Sequence, residues 1–585
     1  MSLAPSQLAE AALARGDLAA AYDITASAIS ESPSEELHHL QVLALARMGD
    51  TETAMRLFET YDLGRSRDPH KRAAGGRLLK DNALKLPSGP ARQEALDAAY
   101  RHYLRTYRES EDPFPGINAA TLALLAGHKQ EARDLAQALL ATPAISGGES
   151  YYMAVTKAEA LLILGRADDA IAAIASDHVA AARDLGAKAT SRRHLGLLAT
   201  ELGLSDALRS ALVGPLSPPA VVNFAGHMFV ADAAREAELA TAIGAVMAEE
   251  KVGFGYGGLA CGADILFAEA LLARGAELHV VLPFAEESFI AQSVLPGGEA
   301  WLARFRECLA RASSVTRLST GPYLGDPNQF GYSSRIAMGL AHLRAEHLGT
   351  RPVQLVVWDE SGPLTEAGTG ADVRAWQPTG ARTRIIPPGG IDRGLNRAAP
   401  AHQCREERAL AAILFTDFAG FSALSEEALP GFWNGVMRSV ADVLEQNASS
   451  VSSRNSWGDA LYAVTESAAS AAEIALQIQA ALKVLDYSSE GPAGTGGMRV
   501  GVHFGPVYRG LDHITGRLTY YGTEVSRAAR IEPITPPGSV FVTQPFAAIL
   551  ALEAPDRFSC RYVGRIPLAK NYGAFPMYRL INGRE

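Results

Sequence analysis

The chain has 585 residues, 48% hydrophobic and 20% charged, with a formal net charge of -10. It is too long for one core, which gives roughly three or four domains, and its composition is that of a packed soluble protein. The acidic balance excludes a nucleic-acid-coating surface, and Cys261, Cys308, Cys404 and Cys560 lack the spacing of a disulfide framework or a zinc site. With no basic-then-apolar leader and no apolar run of the roughly 18 residues a membrane span needs, the expectation is a cytoplasmic protein.

From the start to about residue 215, apolar and alanine positions recur at helical spacing, as in EELHHLQVLALARMGDTETAMRLFETY and YYMAVTKAEALLILGRADDAIAAIA. Gly49 and Gly165 each follow the first helix of a pair. One such pair cannot bury its own apolar face, so the pattern predicts helix-turn-helix units stacked in an array. The segment resembles tetratricopeptide repeats, and EDPFPGINAATLALLAGH is similar to the helical TRAF-binding region of some signalling proteins.

Near Pro218 and Pro219 the texture changes to strand and helix alternation. Strands are predicted in AVVNFAG, KVGFGYG, LHVVLPF, VQLVVWD and TRIIPP, which predicts a Rossmann-like parallel sheet over residues 219–392. Gly253, Gly255 and Gly258 have G-x-G-x-x-G spacing, a weak signal because a nicotinamide fold places it after the first strand. FAGH followed by GGLACGADILFAEA resembles the SLOG family of ligand-sensing domains. That resemblance implies a sensory pocket at Gly257, Gly258 and Asp264 for an unknown small ligand; tight strand-helix packing is the other reading of the glycines.

From residue 405 a hydrophobic strand runs into Asp417, and Asp459 follows at a Gly458 turn between two strand-like runs. A carboxylate ending a buried strand is costly unless it is paired or bound to a cation, and two such acids on adjacent strands suit Mg²⁺. FTDFAGFS, WGDALYAV, MRVGVHFGPVYRG and YYGTEVSRAARIEPITPPGSVFVT, in that order, resemble the class III nucleotide cyclase catalytic domain. The resemblance implies an α+β ferredoxin-like domain over residues 405–585 that dimerises head to tail with composite active sites. Asp417 and Asp459 would hold two Mg²⁺ or Mn²⁺ ions, and Arg530 of the other protomer would stabilise charge on the α-phosphate. Ser526 stands where the family has a ribose-orienting asparagine. Lys570 lies near a phosphate-binding lysine, and the amides of Phe418, Ala419, Gly420 and Phe421, expected at a helix start, suit a polyphosphate.

The base-selecting positions depart from the family. Asn455 replaces the lysine of adenylate cyclases, Thr519 occupies the second selector position, and Tyr462 adds aromatic bulk. RNSWGDALY with YYGTEVSRAARIEP looks most like the bacterial pyrimidine cyclases of phage defence, which make cyclic UMP or cyclic CMP; the leading expectation is UTP as substrate and cyclic UMP as second messenger, with cytosine left open. An adenylate cyclase and a catalytically inactive nucleotide sensor stand beside this as alternatives.

Overall fold

A computed structural model describes residues 3–229, 233–360, 368–389, 408–485 and 497–583. They divide into two compact units: residues 1–218 with 347–349, and residues 219–346 with 350–585. The second unit holds both β-sheets, so the two sheet-bearing regions cluster together.

The first unit consists of paired helices. Those the later description needs are α1 (Glu35–Arg47), α2 (Pro69–Lys85), α3 (Pro90–Ser110), α4 (Pro113–Leu125), α5 (Tyr151–Ile163) and α6 (Leu185–Glu201). Helix α1 starts at Ser34, whose hydroxyl accepts the Leu37 N–H at 3.3 Å, and Glu35 and Glu36 oppose the positive end of the helix dipole. It ends where Gly49 takes φ 84°, and α5 ends likewise at Gly165 with φ 79°. A side chain would strain both turns, so the expected pairing of helices around these glycines is present. Alanines such as Ala119, Ala120, Ala158 and Ala160 are fully buried, which lets neighbouring helices approach closely. Residues 115–124 of α4 are buried throughout, making it the central rod of the array.

The second unit opens with an all-parallel sheet whose strands are β1 (Ala220–Gly226), β2 (Val252–Gly257), β3 (Glu277–Leu282), β4 (Ser314–Arg317), β5 (Val353–Val357) and β6 (Thr383–Ile386). Their order is β4-β3-β2-β1-β5-β6, with all neighbouring pairs parallel. The five expected strands are present. The expectation lacked β4, a four-residue edge strand of polar and half-exposed residues that carries no apolar pattern. Chain order reverses between β1 and β5, the place where open parallel sheets form a crevice. Helices α7 (Ala263–Ala273) and α8 (Asn328–His347) flank that crevice.

The second sheet begins with β7 (Arg408–Ala419), β8 (Val451–Trp457), β9 (Ala460–Thr465) and β10 (Gly497–Leu511). These pair in the order β10-β7-β9-β8, all antiparallel. Helices lie between β7 and β8 and between β9 and β10, so the core is the βαββαβ ferredoxin-like arrangement. Strand β11 (Leu518–Tyr521) pairs with β10 and leads into α9 (Thr523–Ala528). Beyond β10 the sheet continues through β12 (Val540–Thr543), β14 (Ala574–Asn582) and β13 (Phe558–Pro567), with α10 (Gln544–Glu553) packed beside them.

Helix α8 joins the two sheets. One stripe, with Ser333, Ser334 and Ala337, lines the crevice of the parallel sheet. The stripe beside it meets the second sheet: the Tyr332 hydroxyl donates to the Phe504 carbonyl at 2.9 Å, and Arg335 pairs with Glu553 at 3.3 Å. At Gly339 a Cβ would sit 2.0 Å from the Ala548 carbonyl oxygen, so only glycine allows α8 this close to α10.

Candidate active site

Gly458 and Asp459 form the two-residue link between β8 and β9, with Trp457 paired to Ala460. Gly458 takes φ 60°, the positive value that a tight hairpin requires at its first turn residue. The turn brings the Asp459 carboxylate to the end of β7, where Oδ2 accepts the Phe418 N–H at 3.2 Å. Burial and the neighbouring Asp417 hold the Asp459 carboxyl above the usual carboxylate range. The two acids expected to act together are therefore neighbours.

Two residues absent from the sequence reading complete this cluster. Arg499 lies directly opposite Asp417 in the β7–β10 ladder, and its guanidinium contacts the Asp417 carboxylate. It also lies 3.1 Å from Oε1 of Glu532, an oxygen sealed from solvent without a hydrogen-bond partner. Burial, then Asp417, pushes the Glu532 carboxyl up to about 7, with Asp459 adding to the effect and Arg499 opposing it. The signals were a charged residue in an otherwise apolar strand and an acid just after Arg530; their meeting depends on strand register, which local pattern does not carry.

The donor set tests the implied metal. Among the described residues no group of three or more His, Cys, Asp or Glu forms a ready-made cage. Mg²⁺ does not need one: it is held by one or two carboxylates and completes its shell with water and substrate phosphates. Asp417 and Asp459 are hard oxygen donors carrying mutual repulsion that a cation would relieve, so the residues present fit the ion.

The other residues expected in the site lie on α9 and in the segments that follow it. Ser526 is exposed on α9, and Arg530 follows that helix with its Nε buried and without a hydrogen-bond partner. The Arg530 carbonyl accepts the Ala569 N–H at 3.3 Å, which ties the Lys570 turn to it. Lys570 is exposed in a left-handed conformation, φ 60°. Helix α9 is held from below by a buried network. His503 Nε2 lies 2.6 Å from Glu524, His503 Nδ1 lies 2.7 Å from the Thr543 hydroxyl, and Arg527 reaches Glu524 at 2.6 Å. Burial drives His503 toward its neutral form; burial would also raise the Glu524 carboxyl, but the bond from His503 and the nearby charges, Arg527 and Arg408 among them, together hold it below its usual range. Neutral His503 thus donates Nε2–H to Glu524 and accepts from Thr543. Sequence reasoning missed this support, because its members lie on three separate elements.

The expected polyphosphate cradle is corrected in part. Phe418 and Ala419 are paired in β7, and Gly420, at φ 91°, leads into a single 3₁₀ turn, Phe421–Ala423, not a helix start. The Phe418 amide is committed to Asp459. The residues expected to select the base lie together across β8, β9 and β11. Asn455 and Tyr462 are a directly opposed pair, and the Ser453 hydroxyl donates to the Leu518 carbonyl at 3.3 Å, drawing β8 toward β11 with Thr519. Asn455 is exposed, and its Oδ1 accepts the Ser456 N–H at 2.9 Å. Tyr462 is no free wall: its ring packs on Phe415 and its hydroxyl donates to the Tyr520 carbonyl at 3.2 Å.

Gly257, Gly258 and Asp264 all line a cavity of about 830 Å³ at the β1–β5 crevice. A Cβ on Gly257 would lie 2.5 Å from the Phe224 ring, and one on Gly258 would lie 3.0 Å from the Asp264 carboxylate, so close packing accounts for both glycines. Asp264 accepts the Ala260 N–H at 3.2 Å, yet burial pushes its carboxyl up to about 7, and burial does the same to Asp372 across the cavity.

The ferredoxin-like sheet with two carboxylates at its β7 and β8–β9 ends has the layout of a nucleotide cyclase type of domain. Sequence comparison agrees: residues 405–582 match the family model of the adenylate and guanylate cyclase catalytic domain, and residues 11–123 match that of the Tetratricopeptide Repeats-Sensor. A class III cyclase domain and a tetratricopeptide-type sensor domain are present in the chain. Among solved structures the chain is similar to the adenylyl cyclase CyaB from P. aeruginosa, with 19% identity over 30% of this chain and 96% of that one, TM-score 0.27. It is also similar to the guanylate cyclase domain of RhGC from Catenaria anguillulae, with 18% identity over 30% and 98%, TM-score 0.26. An adenylate cyclase from Trypanosoma brucei gives 21% identity over 29% and 87%, TM-score 0.26. No curated protein matches the chain. No helix among the described residues is long and apolar enough to cross a membrane.

Proposed function

We propose that the protein is a metal-dependent nucleotide cyclase that converts UTP to 3′,5′-cyclic UMP and diphosphate. The observation that carries the reaction class is the juxtaposition of Asp417 and Asp459, with Phe418 N–H fixing the second carboxylate. Two Mg²⁺ or Mn²⁺ ions, when bound there, supply Lewis acidity to the phosphates and to the ribose 3′-oxygen. Arg530, contributed by the second protomer of a homodimer, neutralises charge growing on the α-phosphate; its unpartnered Nε is in keeping with a donor held ready. Ser526 orients the ribose, and Lys570 with the backbone at Ala419, Gly420 and Phe421 receives the leaving phosphates. The His503–Glu524–Arg527 network keeps α9 rigid while this happens.

The choice of base rests on Asn455. With Oδ1 accepting from Ser456, its side chain offers the Nδ2 donor, which suits the O4 carbonyl of uracil and opposes the amino group at C4 of cytosine. Thr519 can pair with uracil N3–H. The signalling role in phage defence follows the resemblance of the RNSWGDALY and YYGTEVSRAARIEP stretches to bacterial pyrimidine cyclases. Thr519 also favours a second reading, adenylate cyclase, because that family accepts threonine at this position.

Control of the reaction is assigned to the crevice at Gly257, Gly258 and Asp264. A ligand there would press on the stripe of α8 that lines the cavity, and Tyr332 on the adjoining stripe holds Phe504, the neighbour of His503. The test is product identity with purified full-length protein, Mn²⁺ and each of the four nucleoside triphosphates in turn. Cyclic UMP as the dominant product is expected. Dominant cyclic AMP overturns the pyrimidine reading, and no cyclic product from any triphosphate overturns the cyclase.

A further inference from the structure

The helical unit holds a cavity of about 620 Å³ that the cyclase chemistry does not use. Its size falls within the roughly 300–1,000 Å³ of small-molecule sites. Helices α1, α2, α3, α4, α5 and α6 all contribute to its wall, and much of that wall is apolar, from residues such as Val42, Ala73 and Ile117. Set into it is a group of nitrogen atoms that make no hydrogen bond. Nε of Arg47, Nε of Arg77 and Nδ1 of His39 are sealed from solvent and have no hydrogen-bond partner.

Among the described residues Arg77 has one ion-pair partner, Asp81, and Arg47 has none. Arg47 reaches the Leu13 carbonyl at 3.4 Å through Nη1, and Arg77 faces Asp81 at a long 3.5 Å. Asp184, the acid closest in effect to Arg47, is engaged elsewhere: it caps α6 by accepting the Ala187 N–H at 2.7 Å and receives the Tyr152 hydroxyl at 3.4 Å. Burial, then the charge of Arg77, pushes Arg47 down to about 10, as expected for a guanidinium lacking a counter-anion. Lower in the cavity His194 contacts the buried Lys80, whose ammonium burial pushes down to about 8, and lies 3.8 Å from Glu159. Buried donors in a folded interior are ordinarily satisfied, and a helical array needs no such cluster for its packing.

Around the same cavity stand exposed aromatic rings. Tyr152 and Phe114 are 60% and 40% exposed, and Phe114 stacks on His70 at 5.2 Å with planes 23° apart. All three residues line the cavity. Cationic donors and flat apolar faces together recognise an acidic head carried on a ring.

We propose that this cavity binds a small organic anion with a flat aromatic body, its acidic head held by Arg47, Arg77 and His39 and its ring against Phe114 and Tyr152. The site would give the tetratricopeptide-type region a ligand of its own. It stands independently of the base that the cyclase accepts and of the crevice in the parallel sheet.

The test uses full-length protein and two fluorescent probes that share one ring system: dansylglycine, which carries a carboxylate, and dansylamide, which does not. Dansylglycine is expected to saturate one site per chain at least about tenfold more tightly than dansylamide. Arg47→Met should bring the two to parity, and Arg47→Lys should keep most of the preference, each variant being checked by circular dichroism and thermal melting. A readout on the unmutated protein accompanies these: phenylglyoxal modification of arginines, mapped by peptide mass spectrometry, should slow at Arg47 and Arg77 with dansylglycine present and not at exposed Arg166. Equal affinity for the two probes, no saturable binding, a preference that survives in folded Arg47→Met, or no protection of Arg47 each overturns the proposal.

Discussion

Two sites in the sheet-bearing unit hold carboxyls well above their ordinary range, for different reasons. Asp264 and Asp372 are raised chiefly by burial, and the groups that moderate this are neutral donors: backbone N–H groups for Asp264 and a Ser334 hydroxyl for Asp372. Glu532 and Asp459 are raised by burial and by the charge of Asp417 beside them, with Arg499 as counterweight for Glu532 and backbone N–H groups for Asp459. The first pair is comfortable as neutral acids, which can donate hydrogen bonds to a ligand. The second group holds more negative charge than its one guanidinium balances, the situation that a divalent cation resolves. The same direction of shift therefore has two causes, burial beside neutral donors in one place and crowded negative charge in the other.

The comparison breaks most visibly at the carboxylate pair. Asp417→Ala or Asp459→Ala should lower product formation by about a thousandfold or more, with circular dichroism unchanged. Product at near wild-type rate from either variant would remove the carboxylates from the reaction. Arg530→Ala should cost about 10²–10³ in turnover. Because Arg530 is assigned to the opposite protomer, mixing Arg530→Ala with Asp417→Ala should restore about a quarter of wild-type activity, one intact site in half of the dimers. A mixture as inactive as its components argues against composite sites.

The crevice should answer to pH instead. The folded-state carboxyls of Asp264 and Asp372, at about 7, lie above the unfolded value near 4, so the fold favours their protonated forms. Their contribution is complete below about pH 4 and is lost as pH rises through about 7. Asp372→Asn should accordingly stabilise the protein at pH 8 by on the order of 2 kcal/mol and little at pH 4, read by denaturant melts. Equal effects at both values would mean that the acid is not buried as the structure has it. The smallest effect is expected for Tyr332→Phe, which leaves the Phe504 carbonyl without its donor and should cost about 1 kcal/mol.

Much of this layout could be read along the chain. The glycine-terminated helix pairs, five strands of the parallel sheet, and Asp417 on a strand with Asp459 at the Gly458 turn all follow from local pattern or motif. What escaped depends on register or on distant packing. Arg499 meets Asp417 only because β10 lies against β7 at one offset. The edge strand Ser314–Arg317 has no apolar alternation to announce it. Asp372 joins Asp264 across a crevice that exists only once β5 has crossed to the far side of β1. The Phe418 amide looked available to phosphate until the hairpin brought Asp459 to it. The cationic cavity of the helical unit gathers residues from six helices, and each of those residues by itself reads as an ordinary helix position.

The most direct measurement is a structure of the protein with Mn²⁺ and a non-cyclisable UTP analogue. The account predicts cations shared by Asp417 and Asp459, Arg530 of the second protomer at the α-phosphate, and uracil O4 within hydrogen-bond distance of Asn455 Nδ2. A triphosphate bound with no cation on either aspartate, or a base lying away from Asn455 and Thr519, would contradict it.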